Sequence, residues 1–263
     1  NTAFSASIMY QSLLFIFMSI STVSMILRIS LSVYKIFIQK LIYQQIDRCL
    51  NKTMEIKNYT SLDNIIHEIE YAFDCIYNQS NIAKKTTKDM SNLNEKEIKV
   101  SEKVMRINHM GEICAQGLYR GQAAHTDDKD VKAKLYNICD EENEHLKLCN
   151  LRLKELNGKR SILNPIWYLS SYLLGSIAGI KDNDWKLGFI EETERQVKEH
   201  LNESIQQLPK KDYRSIEFLE EIASDEERHR NTVKNIGSEE IPEYIKKSMN
   251  ISSKIMKKIA SLV

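Results

Sequence analysis

The sequence predicts an all-α protein built around a bundle of long helices, and three observations carry that expectation. Its 263 residues include only three prolines and eight glycines, while Lys, Glu, Ile, Leu and Asn abound, a composition for long helices rather than sheets. Apolar residues recur at steps of three and four through the second half of the chain, the period of a helix with one buried face. A Glu-x-x-His pair occurs twice, Glu142 with His145 in "DEENEHLKLC" and Glu226 with His229 in "SDEERHRNTV". Both pairs fall among apolar residues.

The segments follow in order. Residues 1–40 form an apolar leader: no charge occurs before Arg28 and no acid before Asp47. The run "SIMYQSLLFIFMSISTVSMIL" is long enough to cross a bilayer core of roughly 30 Å, so an anchor, a secretory signal and an organelle-targeting leader are all compatible with it. Residues 41–98 read as a polar linker, partly helical around "LDNIIHEIEYAF". Residues 99–263 form the bundle domain, where the chemistry is expected. The net charge of +1 gives no nucleic-acid signature. Five cysteines without a CxxC pair read as buried thiols rather than a disulfide framework.

Helical phase sorts the acids of the bundle. In steps of three and four, Glu142 lies in line with Leu135, Ile138, Cys139, His145, Leu146, Cys149, Leu153 and Leu156; Glu226 lies in line with Leu219, Ile222, Ala223, His229, Val233 and Ile236. The adjacent Glu141 and Glu227 sit about 100° away among polar residues, so their loss is expected to leave the inner face unaffected. An ionised carboxylate in an apolar interior costs several kcal/mol without a compensating partner. One such pair is compatible with a buried histidine bonded to a glutamate; two inward pairs call for a shared counter-charge.

A pair of metal ions supplies it. Di-iron carboxylate bundles take a Glu-x-x-His from each of two helices and one more inward Glu from each of two others. Glu112 in "VMRINHMGEICAQGLYRGQ" and Glu194 in "GFIEETERQVKEHL" stand thirty and thirty-two residues before Glu142 and Glu226, with Glu191 a weaker candidate for the same helix. Carboxylate and imidazole together suit iron or manganese. Asp225 is placed to accept a hydrogen bond that orients a ligand histidine, with Arg228 as its partner.

These residues resemble the 5-demethoxyubiquinone hydroxylases of ubiquinone biosynthesis. The likeness runs from about residue 100 to the end, and "RINHMGE" (106–112) is its most specific piece, supported in order by "DEENEHL", "LNPIWYLSSYLLGSIAG", "TERQVKEHLNESI" and "SDEERH". The resemblance implies a ferritin-like di-iron monooxygenase that hydroxylates a prenylated benzoquinone with O2 and electrons from NADH. It implies attachment to the matrix face of the mitochondrial inner membrane or to a bacterial cytoplasmic membrane, with a lipid-binding partner of the biosynthetic complex. Homo-oligomers are compatible with it. It assigns Glu112, Glu142, His145, Glu194, Glu226 and His229 as the six ligands, with Glu142 and Glu226 bridging, and matches His200 to a histidine behind the ligands. Leu201 stands where animal members carry Tyr; Tyr119 is a substitute relay or simply core, and His109 is equally ambiguous.

Twenty uncharged residues, 161–180, are expected to lie in a membrane interface with Trp167, Tyr168 and Tyr172 at headgroup depth, or to connect two bundle helices. The C-terminal stretch, with Lys246, Lys247, Lys254, Lys257 and Lys258, reads as an amphipathic helix that reinforces attachment. The alternatives are a ferritin- or rubrerythrin-like iron-binding protein, an alternative quinol oxidase, and a non-enzymatic scaffold bundle. The first lacks a rubredoxin-type CxxC set here, and the "NHMGE" run argues against the second.

Overall fold

The computed structural model describes residues 61–77, 92–181 and 183–261; the apolar leader expected at 1–40 lies outside them. Seven helices are described: α1 (Ser61–Tyr77), α2 (Glu95–Ala124), α3 (Lys129–Glu155), α4 (Asn164–Gly179), α5 (Asn183–Gln207), α6 (Tyr213–Gly237) and α7 (Glu243–Ala260). No strand occurs among the described residues. The fold is a ferritin-like bundle of α2, α3, α5 and α6: α2 pairs with α3, α5 pairs with α6, and the α3–α6 and α2–α5 seams close it.

Local chemistry sets the helix ends. Asn94 and Glu97 form a reciprocal capping box that starts α2 four residues before the expected boundary. Asp128 caps α3 through the amides of Asp130 and Val131. Asn157, at φ 54°, ends α3 in the left-handed region while Gly158 N–H bonds back to Leu153 O. Asp212 caps α6 through Ser215 N–H, and its other role joins two helices: the fully buried Arg152 of α3 donates to Asp212 Oδ1 at 2.8 Å and to Ser215 Oγ at 2.8 Å. Removing Arg152 would leave the buried Asp212 carboxylate without this guanidinium, whereas Arg152 also pairs with Glu155 at 3.1 Å.

Two apolar layers fill the bundle, with the acids between them. One joins Leu118, Tyr119, Leu135, Ile138, Leu187, Ile190 and Val233. The other joins Met105, Leu148, Leu153, Leu201, Phe218, Leu219 and Ile222. On every bundle helix the inward Glu falls in the sequence gap between the two layers, so one polar band crosses an otherwise apolar core. The faces expected around Glu142 and Glu226 are buried, with Ile236 outside the described side chains.

The remaining helices are applied to the outside. α1 lies within the stretch read as linker, and its inner side is not solvated. Cys75 and Ile76 are buried in a cluster with Ile113, Trp167, Tyr168 and Ala260, and Glu68 holds Arg120 through both carboxylate oxygens. Tyr71 donates to Gln116, which donates in turn to Cys139 O. α4 packs chiefly on α2, in near backbone contact: a Cβ on Gly121 would come within 2.0 Å of Tyr172 O, and one on Gly175 within 1.9 Å of Leu118 O. Gly117 and Gly179 extend this contact on either side, a small-residue crossing of the kind that lets backbones approach.

That phase corrects the expectation for the aromatic rings. Trp167 and Tyr168 are buried against the bundle and Tyr172 is half-buried, while Ile162, Ile166, Leu169, Leu173, Leu174, Ile177 and Ile180 are exposed. The glycine face of α4 must meet α2, and the rings flank that face; the aliphatic residues point outward. α7 is amphipathic, with Ile251, Ile255 and Ile259 exposed. No helix among the described residues is long and apolar enough to cross a membrane.

Candidate metal centre

The polar band gathers all six expected ligands. Glu112 on α2, Glu142 and His145 on α3, Glu194 on α5, and Glu226 and His229 on α6 are all at most 5% exposed. Their ligand atoms form two overlapping sets, each within 4.8 Å: Glu112, Glu142, His145 and Glu226; and Glu142, Glu194, Glu226 and His229. Glu142 and Glu226 belong to both. Two ions sharing those two carboxylates would each have one histidine and one carboxylate of their own.

The histidines are turned for this purpose. His145 Nδ1 is 3.3 Å from Glu142 and 3.7 Å from Glu226; His229 Nδ1 is 3.6 Å from Glu142 and 3.7 Å from Glu226. The other nitrogens face outward, His145 Nε2 to Asp225 at 3.2 Å and His229 Nε2 to Glu141 at 2.7 Å. A carboxylate there only accepts, so Nε2 carries a proton, and with metal bound Nδ1 would offer its lone pair to the centre.

Electrostatics shows what the band lacks. Burial, then the charge of Glu142, pushes the Glu112 carboxyl well above its usual range. Burial, then the charges of Glu142 and Glu194, does the same to Glu226, and burial also raises Glu194. Burial opposes ionisation of Glu142 too, but its hydrogen bond to His145 wins and pulls it down. The same contact overcomes the burial of His145 and lifts its imidazole to about 10. Glu142 Oε1, Glu226 Oε2 and His229 Nδ1 remain buried with no hydrogen-bond partner, in a protein where such atoms are normally satisfied. Four carboxylates balance two divalent ions in formal charge, and the N/O donor set suits iron.

The neighbouring residues divide. Tyr119, fully buried, donates to Glu194 Oε1 at 2.7 Å, and Asp225 orients His145 and pairs with Arg228 as expected. His200 does not back the ligands: its ring nitrogens meet Ser204 at 3.5 Å and Lys257 at 3.3 Å. Six residues beyond Glu194, nearly two turns on, its phase carries it toward α7. Glu191 accepts from Ser238 and is outside the cluster. Glu141 was missed. Phase places it off the inner face, and it is 45% exposed, yet its side chain reaches across the α3–α6 seam to His229. Its sequence signal was its position one residue before the ligand Glu, the place Asp225 holds in the second motif. The cleft of about 830 Å³ between α1 and α4, lined by Ile65, Ile69, Arg120, Tyr168, Leu169 and Tyr172 among others, contains none of the six.

The family description "Ubiquinone biosynthesis protein COQ7" matches residues 99–260. The chain belongs to the COQ7 family. Among curated relatives of this COQ7-family chain, a 3-demethoxyubiquinol 3-hydroxylase of Xanthomonas oryzae pv. oryzae is 38% identical over 215 residues, covering 80% of this chain and 99% of that protein. The protein of that name from Xanthomonas campestris pv. campestris is 46% identical over 157 residues, covering 60% and 72%. That from Acinetobacter baylyi is 38% identical over 209 residues, covering 77% and 98%. A solved dodecameric thioferritin of Bacteroides fragilis is similar at a TM-score of 0.43 with 18% identity, covering 60% of this chain and 90% of that one.

Proposed function

We propose that this COQ7-family chain is a di-iron monooxygenase that hydroxylates the ring of a demethoxyubiquinol, at a membrane surface. The observation that carries the reading is the pair of overlapping ligand sets sharing Glu142 and Glu226; the hydroxylase names of relatives matched over nearly their whole length support the substrate. The bound ions would supply O2 activation and the passage of electrons. The chain's own residues do the rest. Asp225 and Glu141 fix the tautomer and direction of the two imidazoles. The Tyr119 hydroxyl holds Glu194 by a hydrogen bond and keeps its own proton, because burial, then the charge of Glu194, raises its pKa far above the ordinary value. The two apolar layers keep bulk water from the band.

Ring C–H, O2, NADH and a proton give ring C–OH, water and NAD+, so atoms and electrons balance with NADH as the two-electron donor. The outward aliphatic face of α4 supports contact with lipid, from which a prenylated ring would be drawn, and leaves room for a lipid-binding partner that presents it. The test is incubation of the iron-loaded full chain with NADH, O2 and a demethoxyubiquinol. The expected product is heavier by one oxygen atom, and that atom derives from labelled O2. Iron binding without ring oxidation under any reductant would instead favour an iron-handling protein.

A further inference from the structure

The six ligands explain the inner face of the centre but not its outer rim. Glu141 and Asp225 each stand one residue before a ligand Glu, on facing helices, and each crosses the α3–α6 seam to the other helix's histidine. One guanidinium joins them: Arg228 Nη1 donates to Asp225 Oδ1 at 2.8 Å, and Nη2 to Glu141 Oε2 at 2.6 Å. The two halves of the bundle are not equivalent here. The position matching Arg228 in the first motif is Glu144, which pairs with Lys147 and reaches neither histidine. A single arginine therefore serves both sides.

Folding stability gives little reason for this arrangement. Arg228 is 59% exposed and Glu141 45%, and exposed ion pairs contribute at most about 1 kcal/mol. Orientation gives a better one. The planar guanidinium presents its donors in a fixed fork, so the two carboxylates are held at a set separation and each in turn fixes one imidazole.

We propose that Arg228 is a positioning residue shared by the two halves of the centre, setting the direction of His145 and His229 together through Asp225 and Glu141. This rests on the two-iron reading above. Loss of a group that orients a ligand typically weakens metal binding about 10- to 100-fold.

The test is anaerobic titration of the metal-free full chain with ferrous iron, alongside the melting temperature of the metal-free protein and the Mössbauer spectrum at saturation. Arg228→Gln is expected to weaken both iron equivalents about tenfold and broaden both spectral components, with the metal-free melting temperature unchanged. Glu141→Ala and Asp225→Ala should each weaken mainly one equivalent, and Arg228→Gln added to the double variant Glu141→Ala with Asp225→Ala should change nothing further. Arg228→Lys, which keeps the charge but not the fork, should fall between wild type and Arg228→Gln. The proposal is overturned if Arg228→Gln binds both irons like wild type, if its effect adds fully to the double variant, if Arg228→Lys restores binding completely, or if iron loss merely follows a lowered metal-free melting temperature. A wild-type chain that binds fewer than two irons overturns the two-iron reading itself, and that result is visible in the wild-type arm alone.

Discussion

Glu142 and Glu226 are each 1% exposed and are the two residues common to both candidate ligand sets, so on the two-iron reading removing either one would take a ligand from both ions. Glu142→Ala or Glu226→Ala should reduce bound iron from two equivalents to near none and abolish hydroxylation, read by metal analysis of the purified variants. Glu227→Ala should keep both irons, because Glu227 engages Lys198 and Arg230 on the outside. Two other residues contribute to acid sensitivity. Burial, then the charge of Arg160, lowers His109 to about 3; burial, then the charge of Lys257, does the same to His200. Each is neutral in the folded protein and takes a proton when unfolded below about 6.5. At these two sites the unfolded chain binds the extra proton between pH 6.5 and 3, so each contributes stability that is lost as pH drops through that window. Urea melts of metal-free wild type and His109→Gln across it should show a shallower fall in the variant; parallel curves would refute the assignment.

Between elements, the α2–α4 contact is the least tolerant. Alanine for glycine in a helix gains up to about 1 kcal/mol from propensity, whereas forcing atoms into a packed contact typically costs about 1–3 kcal/mol. The clashes at Gly121 and Gly175 are with carbonyl oxygens of the opposite backbone, which cannot rotate away, so the cost wins. Gly121→Ala or Gly175→Ala should lower Tm by several degrees, checked by thermal unfolding, while Gly111→Ala, with nothing within 4 Å of its added Cβ, should not. This contact was hidden in the sequence because helical period tells which face is buried but not against what. The bundle helices and the gathering of six inward Glu and His side chains were legible because a carboxylate inside an apolar stripe is costly and therefore conspicuous. Glu141 and His200 were not legible for a common reason: side-chain reach decides both. A long glutamate off the inner face crossed a seam, and a histidine six residues along met α7 instead of a ligand.

At the scale of the whole molecule, the outward apolar rows belong to three applied helices, and one shared cluster lies beneath them. Cys75 and Ile76 of α1, Trp167 and Tyr168 of α4, and Ala260 of α7 pack together, while Ile69 and Phe73, Leu169 and Leu173, and Ile255 and Ile259 are exposed on the same helices. Leu173→Glu with Leu174→Glu, both 56% exposed in the wild type, should leave iron bound but weaken binding to anionic liposomes and slow long-tailed quinones more than short-tailed ones. Normal liposome binding and no tail dependence would remove the lipid role from α4. The other flank has the opposite character. At the α3–α6 seam, one rank of charged side chains, Arg228, Glu141 and Asp225, separates the histidines from water. Exposed ion pairs are screened by salt, so that flank is a latch whose hold weakens with ionic strength. A hydrated cation and a prenylated ring therefore need not share a route, and the speed at which a chelator strips the centre should rise with salt even though the bundle stays folded.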